Sequence, residues 1–146
     1  MAAFLPLTAI SPLGWRRWLT VVTVLLTVCG CSDPAAEENE ALREKIIEVH
    51  DEAMDKIGYM FVLETRLKKL QPSPEVPADT LEESIAALQQ ANREMFGWMN
   101  QYQTLYVTGD ISQDTRYRRQ QLEKIEAVST LTTEAIAAAE HILSAD

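Results

Sequence analysis

His50 and Met54 stand one helical turn apart, and Met95 and Met99 repeat that spacing later in the chain. Imidazole and thioether groups are donors for soft metals such as Cu(I), so four such side chains in one layer would make a copper site. The same residue types have a plainer use. Methionine fills irregular gaps in ordinary cores, notably against a large ring such as Trp98, and a histidine at the edge of an apolar face hydrogen-bonds a neighbouring Asp51 or a tyrosine.

Asp51, Glu52 and Asp55 place carboxylates beside the histidine. On a helix they turn mainly away from the apolar seam and read as solvated acids rather than a general acid–base pair. Di-iron bundles use Glu-x-x-His pairs, but the residues three before the histidines are Ile47 and Ala138. Bis-histidine haem ligation is also excluded, because His141 falls about 30–40 Å along the bundle from His50 at the helical rise. The chain has no glycine-rich phosphate loop, Ser–His–Asp order or zinc spacing. These patterns predict a non-enzymatic protein with no cofactor, and leave the copper layer as the alternative.

The N-terminal segment supplies an address. Residues 1–30 contain no acid, and Arg16 and Arg17 precede a short apolar run from Trp18 to Val28. That run is about half the ~20 residues that span a bilayer, so it reads as a cleaved signal peptide. Val28-Cys29-Gly30-Cys31 resembles a bacterial lipobox, which implies lipidation of Cys31 at the new N-terminus. Several acyl chains would anchor the protein stably to a membrane. Ser32 follows in place of the aspartate that retains enterobacterial lipoproteins at the inner membrane, which favours the outer membrane of a bacterial envelope.

With Cys29 removed and Cys31 acylated, the mature chain has no thiol for a disulfide, zinc ligand or nucleophile. Loss of Arg16 and Arg17 deepens the net charge from −9 to −11, with 11 basic residues against 22 acidic ones. Such a balance argues against nucleic acid, whose binding rests on phosphate neutralisation.

Residues 31–40 are small and acidic, and read as a flexible tether lifting the domain off the membrane. The domain, 41–146, has three apolar-periodic segments and no strand pattern. The first helix, about 41–70, has a seam at Leu42, Ile46, Val49, Ala53, Met60, Leu63, Leu67 and Leu70, with a gap at Lys56. A second stripe, Ile47, His50, Met54, Ile57 and Phe61, widens its apolar face, which makes this helix the expected centre of the bundle. Three prolines in 72–77 end it. The second helix, about 80–105, opens on a Thr80–Glu83 capping box and carries a seam of Leu81, Ile85, Leu88, Met95, Met99 and Tyr102. After a turn at Gly109-Asp110, Ser112 or Asp114 caps a third helix, about 114–143. Short connections make neighbours antiparallel, so the fold expected is an all-α, up-down-up three-helix bundle. In that path His50 and Met54 reach the level of Met95, Trp98 and Met99. Gly58, on the opposite face, could admit a partner helix, including one from a second copy, or could merely bend the helix.

His50, Asp51, Glu52, Met54, Lys56 and Gly58, with Met95, Trp98 and Met99, resemble two blocks of a family of small Bacteroidota lipoproteins often labelled "viral A-type inclusion protein". The family blocks read Ile-His-Asp-Glu-x-Met-Pro-Lys-Met-Gly and Met-x-x-Trp-Met. Here Asp55 replaces the proline and Ile57 the second methionine. The resemblance spans most of 40–143. It implies a lipidated helical envelope protein, with an envelope protein or a second copy as partner, and supplies no activity.

Overall fold

The computed structural model describes residues 33–144; the expected signal peptide and the Cys31 lipidation site lie outside them. The described chain is all-α: α1 is Pro34–Met54, α2 Ile57–Leu67, α3 Ala78–Gln101 and α4 Ile111–Ser144. Together α1 and α2 form the first arm of an up-down-up bundle. They are separated at Asp55–Lys56, where the Lys56 amide bonds the Ala53 carbonyl in a tightened turn. The break falls at the gap in the apolar seam. No described helix is long and apolar enough to cross a membrane.

The acidic stretch before residue 41 is not a tether from Pro34 onward. Asp33 caps α1 by accepting from the Ala35 amide at 3.0 Å, and Pro34 supplies the fixed φ that suits a first helical position. Tertiary contacts then hold this turn down. Buried Asn39 donates to Thr115 Oγ1 at 3.2 Å and accepts from Arg118 Nε at 2.6 Å, and Glu38 pairs with Arg119. Acidic composition predicted solvation; one amide at a core-facing position decided otherwise.

The second helix begins at Ala78 and ends at Gln101, and Thr80 makes no capping box. The Thr80 amide instead donates to Asp79 Oδ1 at 2.9 Å. Capping of α4 falls to Asp110, whose carboxylate accepts from the Ser112 amide and hydroxyl at 2.9 and 2.7 Å. These bonds hold its pKa below the usual aspartate value. Gly109, at φ 85°, makes the preceding turn in the region that other residues enter at a cost.

The centre of the bundle is α4 rather than the first helix. It packs against α1, α2 and α3, whereas α1 and α3 are bridged mainly by side chains. Its small residues Ala135 and Ala139 allow α2 and α3 to approach together. Two apolar clusters follow along the axis. Met60, Leu63, Leu67, Leu81 and Leu88 meet Ala135, Ala139 and Ile142 at the prolyl-loop end. Ile46, Val49 and Ala53 meet Met95, Trp98, Ile125 and Val128 in the middle. Beyond them, Asn39, Asp114, Thr115, Arg118 and Gln121 form a buried polar layer.

Candidate functional site

The seam of α3 is rotated from the expected one. Ser84 and Trp98 are buried in place of Ile85 and Met99, and Ala91 is buried as well. Met99 consequently stands 38% exposed. It lines a hollow of about 210 Å³ with Ile47, His50, Trp98, Tyr102 and Thr104. His50 sits at the inner wall with its side chain 20% exposed, and its Nδ1 lies 2.8 Å from Asp51 Oδ1. That contact leaves Nε2 as the ring's other polar atom.

The copper layer is thus divided between two settings. His50 and Met99 share the hollow, Met95 is sealed in the core, and Met54 is half-buried against the cluster that contains Met95. Among the described residues no three His, Cys, Asp or Glu side chains form a metal-holding group, so an ion here would depend on thioethers and a single imidazole. The remaining residues of the first block have separate tasks. Glu52 and Gly58 face solvent, and a Cβ at Gly58 would meet nothing within 4 Å. Lys56 Nζ donates to Thr133 Oγ1 at 3.3 Å and ties the helix break to α4.

Trp98 begins an aromatic column. His50 tilts against it at 5.6 Å between centroids, and Tyr102 stacks on it at 4.7 Å. Tyr117 follows at 6.4 Å from Tyr102, and Tyr106 stacks on Tyr117 at 4.1 Å. Tyr102 adopts an extended backbone, φ −71° and ψ 124°, and ends α3 there. The Tyr117 hydroxyl accepts from the Gln103 amide at 2.7 Å, pinning the departing chain. Burial pushes the Tyr102 hydroxyl above its ordinary pKa, against the opposing charge of nearby Arg118.

A second, larger hollow of about 350 Å³ lies between α2 and α3, nearer the start of α3 than the first. Its floor includes Ile57, Met60 and Leu88, and its rims are Phe61 and Phe96, which are 70% and 45% exposed. Gln89 Nε2 donates to Glu64 Oε1 at 2.7 Å and closes its lower end. Lys68 and Gln89 hold the Glu64 carboxyl below the usual glutamate range. The segments of α3 lining the two hollows are centred about eight residues apart, a step of about 12 Å at the helical rise. A further hollow of about 370 Å³ lies between α3 and α4, floored by Trp98, Val128 and Leu131. None of its lining residues is among the large exposed apolar side chains.

The paired phenylalanines and the polar layer lay outside the sequence expectation. Phe61 belongs to the second apolar stripe, whereas Phe96 falls beside the α3 seam, and the pattern along one chain does not pair them. Asn39 and Arg118 carried a legible signal: each is a polar residue at helical spacing from a core residue, Ile46 and Ile125 respectively. No family model, curated protein or solved structure matches the chain.

Proposed function

We propose that this is a lipid-anchored protein of the bacterial envelope whose helical domain is a non-enzymatic binding or scaffolding module. The observation that carries the reading is the groove between α2 and α3. Phe61 and Phe96 stand exposed on its opposite rims, where much of each ring is left in water. An apolar groove between two helices suits an amphipathic helix of another envelope protein, with anchors spaced seven or eight residues apart to reach both hollows. The lipobox-like Val28-Cys29-Gly30-Cys31 supports attachment through Cys31. The break at Asp55–Lys56 supports the family resemblance, because it falls where the family block carries proline, a residue disfavoured in a helix interior.

Crosslinking and pull-down from intact cells tests the module. A Phe61→Asp/Phe96→Asp double variant is expected to lose a partner adduct formed by the parent, with its urea midpoint unchanged. An adduct that persists in the variant, or no adduct from the parent across several crosslinking chemistries, would sink the groove reading. An adduct of twice the chain's mass would assign the groove to a second copy instead.

The shared hollow of His50 and Met99 favours one second reading, a soft-metal or copper-chaperone lipoprotein. On that reading the purified mature chain binds Cu(I) in a competition titration, and both His50→Ala and Met99→Leu weaken it. Absence of binding, or titrations unchanged by either substitution, rejects it.

A further inference from the structure

We infer that the end of the bundle formed by the 102–110 loop is seated on the lipid surface, with Leu105 and Val107 in the headgroup region. This inference rests on the lipid-anchor reading of Cys31. Its starting point is the short distance between that residue and the folded domain. α1 begins at Pro34 with Asp33 as its cap, so only Ser32 stands between Cys31 and the cap. Extended backbone over that interval spans at most about 7 Å.

The first turns of α1 are held to the first turns of α4 by Asn39 with Thr115 and Arg118, and by Glu38 with Arg119. The loop leading into α4 therefore lies at the same end of the bundle as Asp33. Leu105 is 91% exposed and Val107 is 74% exposed on that loop. Tyr106 between them turns inward and stacks on Tyr117, and Thr108 donates to Asp114 Oδ1 through both its amide and hydroxyl, at 2.9 and 2.7 Å. The loop is thus braced from within while its two aliphatic side chains point out. Ile111, also exposed, continues the patch into α4.

A lipid surface is the occupant that these placements favour, because the anchor would bring this end of the domain to the membrane. The end carries charges of both signs, including Asp33, Asp110, Arg116 and Arg119, so aliphatic insertion rather than attraction to anionic lipid would hold it.

The test uses the full chain made in a lipidating bacterial host and reconstituted in zwitterionic phospholipid vesicles. With Cys29 cleaved off and Cys31 acylated, Val107→Cys supplies the sole thiol for an environment-sensitive dye, and Glu75→Cys reports the prolyl-loop end. At a headgroup depth of about 5–10 Å, aqueous iodide is expected to quench the dye at 107 about threefold less than the dye at 75. The protection should remain when protein is diluted in excess lipid. Equal quenching at the two positions overturns the seating, and protection lost on dilution assigns the patch to a second copy. Mass spectrometry of the chain and fractionation of Cys31→Ser test the anchor separately. An unacylated Cys31 removes both anchor and seating, whereas an acylated chain with equal quenching removes the seating alone.

Discussion

Leu63→Ala is expected to lower the unfolding free energy by about 3 kcal/mol, whereas Phe61→Ala changes it by about 0.5 kcal/mol or less. The two positions are neighbours on α2 but have opposite surroundings. Leu63 is fully buried in the cluster with Met60, Leu67, Leu88 and Ala135. Its truncation loses transfer free energy and leaves a cavity that the bundle fills only partly. Phe61 remains largely in water on the groove rim. Urea unfolding checks the pair: Leu63→Ala lowers the midpoint at an unchanged slope, and Phe61→Ala leaves both near the parent values. A large loss from Phe61→Ala would show that the ring supports the fold, and would remove the main observation behind the docking groove.

Asn39→Ala is expected to cost about 2–3 kcal/mol, more than an exposed acidic stretch would suggest. The asparagine satisfies Arg118 Nε and donates to Thr115 inside the polar layer. Alanine would leave the buried guanidinium without that acceptor, and Arg118 Nη1 already has no hydrogen-bond partner. Asn39→Asp should recover much of the loss, because its carboxylate can accept from both Arg118 and the Thr115 hydroxyl. Urea unfolding gives the energies, and amide exchange across 35–44 reports whether the first turns of α1 open. Unchanged exchange and stability in Asn39→Ala would mean that this segment is not held by the polar layer.

Several features were legible before any tertiary contact was known. The apolar repeat identified three helical arms, the prolines at 72, 74 and 77 marked the first connection, and Gly109 marked the second. The gap at Lys56 is compatible with one unbroken helix over 41–70, and only the structure shows that the helix breaks there. Other features depend on contacts that composition and periodicity do not specify. Residues 34–40 looked like a tether because their composition is acidic, although Asn39 alone faces the core. Helix 1 looked central because it has two apolar stripes, but the second stripe lines the open groove instead of a second helix.

Met99 shows the same limit at the scale of one side chain. Its spacing from Met95 suits either a buried seam or the edge of a hollow, and a small rotation of α3 exchanges Met99 for Trp98. Periodicity along one chain locates a helix and its broad apolar face, because those depend on local geometry and side-chain hydrophobicity. The sequence by itself therefore determined the helical class, the arms and their punctuation. Only tertiary packing decided that α4 is central, that Asn39 and Arg118 are buried together, and that Phe61 and Phe96 flank a groove. Those outcomes depend on the rotation and spacing of helices far apart in sequence, which a helical repeat does not specify.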